Sequence, residues 1–225
     1  MYGRGVIFLQ KNQYSLAIKE LEQSLKLEPE NANAHLCLGV AFWNLGFSKE
    51  AVKEYKEAIR LDVDNDKAHF NLGVVCQRLG RIQEAIIQYA LAIKINPSDP
   101  NTHFNLGVAN NRLGKFEEEI NQYKAVLGIQ SDYPNVNFGL ANAYRKLGRF
   151  LESWIEYEIA LKINPSHGDA CFNLGVTYDL LSDGENAIFC TKKAEKLYEV
   201  QEKQDRKQKS MHRLLELYEK YGSSP

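Results

Sequence analysis

"HFNLGV" occupies residues 69–74, recurs unchanged at 103–108, and returns as "CFNLGV" at 171–176. Its glycine belongs to a longer series. Gly5, Gly39, Gly73, Gly107 and Gly175 are spaced by 34 residues or a multiple of it, and Ala141 fills the one missing place. Four further registers run in phase with it. Gly46, Gly80, Gly114 and Gly148 follow seven residues later, with Asn12 and Ser182 in the outer copies. Ala17, Ala51, Ala85, Ser153 and Ala187 form the next register, then Tyr55, Tyr89, Tyr123 and Tyr157, then Pro29, Pro97 and Pro165. A fixed period of this kind overrides local readings of secondary structure and predicts a stacked repeat architecture.

Each unit reads as two helices about a dozen residues long. In the third, "DKAHFNLGVVCQRL" (66–79) has helical periodicity, "GR" interrupts it, and "IQEAIIQYALAIKI" (82–95) resumes it. The first glycine falls in mid-helix, where it costs about 1 kcal/mol relative to alanine. A cost repeated in almost every unit predicts a site where the partner helix approaches too closely for a larger residue. The second glycine suits a left-handed residue just beyond a helix end. In "NPSDPN" (96–101), Asp99 and Pro100 suit the N-cap and first position of the next helix.

These registers resemble the tetratricopeptide repeat family, whose 34-residue helix–turn–helix unit carries small residues and aromatics at the same spacings. The resemblance implies an all-α fold: a right-handed superhelix (α-solenoid) of about six repeats plus a C-terminal capping helix. With the first glycine as position 8, repeats lie near 1–31, 32–65, 66–99, 100–133, 134–167 and 168–199. The array thus covers 1–199. Residues 200–225 read as a charged linker and an amphipathic helix that covers the last repeat.

Projected around the first helix of a unit at about 100° per residue, positions 4, 7, 8 and 11 share the face turned to the second helix. Positions 2, 5, 6, 9, 12 and 13 lie opposite. In the tetratricopeptide family this opposite side is similar to the lining of the ligand groove, which implies a peptide-binding site here. At position 6 it offers Asn71, Asn105 and Asn173, with Gly139 breaking the series and Asn142 as a displaced rung. Position 5 adds Phe70, Phe104, Phe138 and Phe172, and position 9 adds Val74 and Val108. Arg78, Arg112 and Lys146 stand at position 13, and Lys67 at position 2. A carboxamide both donates and accepts, so a ladder of them pairs with the backbone of an extended peptide whatever its side chains. The ladder is similar to that of the superhelical arms of O-linked N-acetylglucosamine transferases. It lacks the lysine at position 5 that marks the carboxylate clamps of chaperone-binding members.

Other chemistry is not expected. His35, His69 and His103 share one register, but equivalent residues of successive repeats stand about 8–10 Å apart, too far to converge on one metal ion. Glu117, Glu118 and Glu119 cluster at the start of a second helix, where negative charge is favourable. Glu119 replaces the usual alanine. There is no nucleophile triad, phosphate-binding glycine loop or nucleotide fingerprint, so neither catalysis nor a cofactor is expected. The chain carries 28 Lys and Arg against 29 Asp and Glu, which excludes a polyanion binder in bulk. Lys192 to Arg213 holds eight basic against four interleaved acidic residues, the pattern of a solvated helix rather than a nucleic-acid interface. No apolar run reaches membrane-spanning length. Cys37, Cys76, Cys171 and Cys190 show no paired spacing, and "MYGRGVIFLQ" is too short in apolar residues for a signal peptide. A cytoplasmic setting is expected.

The reading is therefore a scaffold that binds an extended protein segment in its groove. Two alternatives stand beside it: a self-assembling scaffold that forms homo-oligomers, and the targeting arm of a larger enzyme. "LGIQSDYPNV" (127–136), with Gly128 inside a helix end and its proline moved to Pro134, is expected to be the weakest junction.

Overall fold

A computed structural model describes residues 1–133 and 135–222. Pro134 and the last three residues, 223–225, lie outside the described residues, so the reading of Pro134 is set aside. Thirteen helices and no strand are found among the described residues: α1 (Tyr2–Gln10), α2 (Tyr14–Leu27), α3 (Ala32–Asn44), α4 (Ser48–Leu61), α5 (Asp66–Arg78), α6 (Ile82–Ile95), α7 (Pro100–Arg112), α8 (Phe116–Ile129), α9 (Val136–Lys146), α10 (Phe150–Ile163), α11 (Gly168–Leu180), α12 (Gly184–Val200) and α13 (Gln204–Tyr221). The chain forms two compact units. They divide at Gly114 and Lys115, between the two helices of the fourth repeat.

Helix starts follow the repeat. Asn31, Asn65, Asp99 and His167 occupy equivalent N-cap places, and each side chain accepts a hydrogen bond from a backbone N–H in the first turn. Such a cap contributes about 1 kcal/mol. Pro100 takes the first helical position behind Asp99, as expected. The fifth repeat departs from the pattern: Asn135 precedes α9 in the left-handed region at φ 63°, and α9 is two residues shorter than its counterparts. The histidines pin the turns between repeats. Nε2 of His35, His69 and His103 lies 3.2, 3.2 and 3.1 Å from the carbonyl oxygen six residues earlier, at Pro29, Val63 and Pro97.

In the first unit, hairpins α1/α2, α3/α4 and α5/α6 stack with α7. The mid-helix glycines explain the spacing. A Cβ on Gly73 would stand 2.7 Å from the ring of Tyr89, and one on Gly39 would stand 2.6 Å from Tyr55. The tyrosine ring comes close to the opposite helix because no side chain projects there. Second-position glycines take positive φ, for example 76° at Gly80, and Asn12 and Ser182 adopt the same conformation in the outer repeats. The helical projection missed one buried face. Ala68 and Val75, at positions 3 and 10, are wholly buried against the preceding hairpin, so α5 is enclosed on two sides.

In the second unit, α8 packs on α9, the hairpins α9/α10 and α11/α12 follow, and α13 packs on α12. Its Ser210, Leu214 and Leu217 face inward. The docking is also electrostatic. Asp179 of α11, nine-tenths buried, accepts from Arg213, from Lys220 Nζ at 2.7 Å and from the Tyr221 hydroxyl at 2.8 Å. Burial pushes this carboxyl up, but Lys220, Tyr221 and Arg213 outweigh burial and hold it below the usual carboxylate value. Arg206 pairs with Asp169 one helix face further along.

Two predictions follow from this packing. Gly73→Ala should lower the thermal stability by about 1–3 kcal/mol despite its better helix propensity, because the added methyl meets a buried ring. Gly128→Ala, where a Cβ meets nothing within 4 Å, should raise it by up to about 1 kcal/mol; chemical denaturation checks the pair. Asp179→Asn should destabilise the second unit by about 2 kcal/mol and speed amide exchange over 204–221. A carboxyl that titrates lower folded than unfolded stabilises fully above its unfolded value, and that contribution is lost as pH falls from about 4 through the folded value. The gap between wild type and variant should therefore close in acid.

Candidate functional site

The positions flanking the proposed face are consumed by the core. In α5, Ala68, His69, Leu72, Gly73, Val75 and Cys76 are buried. What remains is a strip. Phe70, Asn71 and Val74 are half-buried, and Lys67 and Arg78 are exposed. The repeat reproduces it in α7, where Phe104, Asn105 and Val108 are half-buried and Arg112 exposed. In the second unit, Phe138, Asn142, Phe172 and Asn173 are half-buried and Lys146 is exposed.

The aromatic members of the strip rest on the tyrosines beneath. Phe70 lies 6.0 Å from Tyr89 between ring centroids, and Phe138 lies 6.1 Å from Tyr157. They are fixed platforms, sealed on one side and open on the other. In the first unit the basic residues at position 13 are anchored to the first helix of the preceding repeat. Arg78 stands over the Trp43 ring at 5.7 Å, and Arg112 Nη1 donates to Gln77 O at 3.2 Å. Gln77 lies in the last turn of α5, where the helix dipole favours a cation. Near the opening of the strip, a cavity of about 360 Å³ is bounded by Asp66, Lys67, Phe70, Asp99, Pro100 and Thr102 among others.

The carboxamides differ between units. Asn71 makes no side-chain hydrogen bond among the described residues, while Asn105 Nδ2 donates to Asn101 O at 2.8 Å. Asn142 and Asn173 are joined: Asn173 Nδ2 donates to Asn142 Oδ1 at 3.0 Å, and the Tyr157 hydroxyl donates to the same oxygen at 2.6 Å. Gly139 has a steric cause. A Cβ there would stand 2.6 Å from the ring of Tyr123, so no asparagine fits. Beneath it Glu119 is buried beside Tyr123, whose phenol is pushed up by burial and by that carboxylate.

Two features escaped the sequence. Phe172 is not open, because Lys209 of α13 lies over its ring at 5.2 Å. The buried tyrosines at position 24 prove to be partners of the strip as well as core. The phenols of Tyr55, Tyr89 and Tyr157 are all pushed up by burial. Their spacing was visible, but the reach of the Tyr157 hydroxyl to the Asn142 carboxamide required coordinates. All four cysteines are free, and three are buried. Among the described residues no helix is long and apolar enough to cross a membrane.

Comparison with known proteins agrees with this architecture. Among solved structures, the chain is similar to YrrB, described as a tetratricopeptide protein with an unusual peptide-binding site, at 18% identity and TM-score 0.74 over 79% of this chain and 91% of that one. It is also similar to MamA AMB-1, at 25% identity and TM-score 0.67, covering 73% and 97%. The third is PilF of Pseudomonas aeruginosa, at 21% and 0.72, covering 88% and 90%. A comparison with curated proteins finds no match. Models of the TPR or tetratricopeptide repeat match residues 5–46, 38–100, 100–133 and 134–167, together spanning well over half of the sequence. On these matches and the helical hairpins that bear them out, the chain belongs to the tetratricopeptide repeat family.

Proposed function

We propose that this protein is a non-catalytic interaction scaffold that holds an extended segment of a partner protein along the first-helix strip. The carrying observation is that residues 70, 71, 74 and 78 of α5, and their equivalents in α7, keep solvent access beside a face that is buried at positions 68, 69, 72, 73, 75 and 76 and their equivalents. A strip that repeats with the period of the fold offers the same donors, acceptors and aromatic platforms at regular intervals, which suits a ligand with its own linear repeat: an extended backbone. Phe70 and Phe104 supply apolar contact and the carboxamides supply pairing to peptide groups. Lys67, Arg78 and Arg112 favour acidic side chains or a terminal carboxylate. The peptide-binding site ascribed to YrrB supports the class of ligand. The setting we assign is cytoplasmic.

A display library of unstructured peptides panned against the full chain tests this reading. Peptides selected by the wild type should bind the triple variant Asn71→Ala, Asn105→Ala, Asn173→Ala at least about tenfold more weakly, equivalent to about 1.4 kcal/mol. Circular dichroism should show unchanged helicity. Equal binding by the two proteins rejects the strip as the binding site.

A further inference from the structure

The second unit contains a small polar assembly whose counterpart in the first unit is incomplete. Asn142 Oδ1 accepts from the Tyr157 hydroxyl and from Asn173 Nδ2, while its own Nδ2 donates to Phe138 O at 2.9 Å. One carboxamide thus receives two donors, one from the second helix of its own hairpin and one from the next hairpin. Two repeats earlier the same three places hold Val74, Tyr89 and Asn105. Valine offers no acceptor. The Tyr89 side chain is fully buried, and its hydroxyl has no partner among the described residues. Asn105 Nδ2 turns back to the Asn101 carbonyl instead.

The pattern occurs twice in the first unit. Val40, Tyr55 and Asn71 hold the same places one repeat earlier, with Tyr55 1% exposed. Neither the Tyr55 hydroxyl nor the Asn71 carboxamide makes a side-chain hydrogen bond among the described residues. In the second unit, position 6 approaches the tyrosine of the preceding hairpin, and the repeat carries Asn71 and Asn105 to the equivalent places. The approach is seen where Asn173 meets the Asn142–Tyr157 pair, and where the Tyr123 ring crowds Gly139. A second orphan lies alongside, since Gln77 Oε1 is buried without a partner three residues beyond Val74 on the same helix. A buried donor and a buried acceptor without partners are rare in folded proteins and call for an explanation.

We propose that Tyr89 with Asn105, and Tyr55 with Asn71, form two receiving sites for an amide carbonyl oxygen of the bound segment, and that Asn142 closes the equivalent site in the second unit. The proposal rests on the peptide-binding reading and deepens it. A side-chain carboxamide and a peptide group are the same functional group, so Asn142 stands in for a ligand amide and displays the geometry that such an amide takes. The donors are neutral, which selects a neutral carbonyl over a carboxylate that would lose its hydration in this half-buried place. To admit it, Asn105 releases the Asn101 carbonyl by a side-chain rotation. Gln77 Oε1 supplies an acceptor for a neighbouring N–H. Binding specificity for amides is thereby concentrated in the first unit.

Nuclear magnetic resonance on the full chain tests this with two probes. N-acetylalanine N-methylamide carries backbone amides alone, and N-acetylglutamine N-methylamide adds a side-chain carboxamide. Saturable shifts of the amides around Val74 and Asn105 are expected. Response to both probes identifies a backbone carbonyl as the natural ligand group, and response to the glutamine probe alone identifies a side chain. Val74→Asn supplies an internal carboxamide, and Tyr89→Phe removes the donor. Each should weaken binding at this site at least about tenfold. Asn142→Val should open the second unit, so that shifts appear around 142 and 173. Absence of shifts with both probes, or binding to Val74→Asn and Tyr89→Phe equal to wild type, overturns the proposal. The display-selected peptides separate the two failures. If they lose affinity for the triple asparagine variant but not for Val74→Asn or Tyr89→Phe, the carbonyl sites fall and the strip stands. If none of these variants weakens them, both fall.

Discussion

In the second and third repeats an aromatic ring seated on a glycine sets the geometry of the hairpin. Where Tyr55 meets Gly39 and Tyr89 meets Gly73, the ring occupies the space that a β-carbon would take. The glycine costs helix propensity, and the close approach returns dispersion contacts from a wholly buried ring. In the fifth repeat the equivalent ring, Tyr157, also carries its hydroxyl to Asn142 of the first helix. One interaction therefore fixes the interhelical distance and also delivers a polar group beneath the exposed strip. The strip and the core are two ends of one side chain.

That coupling explains how departures from the repeat travel. Where Glu119 replaces the small residue of the fourth repeat, it is buried against Tyr123, and the Tyr123 ring crowds the next helix at Gly139. The carboxamide ladder loses its rung at that place. Asn142, one turn further on, joins Asn173 and Tyr157 instead. Within the second unit, α13 continues the stack by occupying the place a further first helix would hold, and Lys209 and Arg206 cover part of the final repeat. Asp179 makes that helix a charged closure rather than a merely apolar lid.

Much of this was legible in the sequence because a fixed period turns weak local signals into a strong global one. The residues flanking Gly73 announce a buried and an open face through helical geometry alone, and Asp99 and Pro100 announce a helix start through backbone hydrogen bonding. Phe70, Asn71, Val74 and Arg78 emerge together because they share one side of one helix. The burial of Ala68 and Val75 was not legible, since it depends on the preceding hairpin, and a single-helix projection carries no information about that neighbour.

The sequence by itself determined the helical repeat, its register and the side of each first helix left open, because those follow from periodicity within a few turns of chain. Only the tertiary structure decided which carboxamides are engaged. Asn71, Asn105 and Asn173 read identically in sequence, yet Asn173 is tied to Asn142 while Asn71 is not tied to any side chain described. The difference lies in residues on neighbouring hairpins, Val40 and Val74 against Asn142, brought beside the tyrosine hydroxyls by packing. Hydrogen bonding acts over about 3 Å in space, and distance along the chain does not report it.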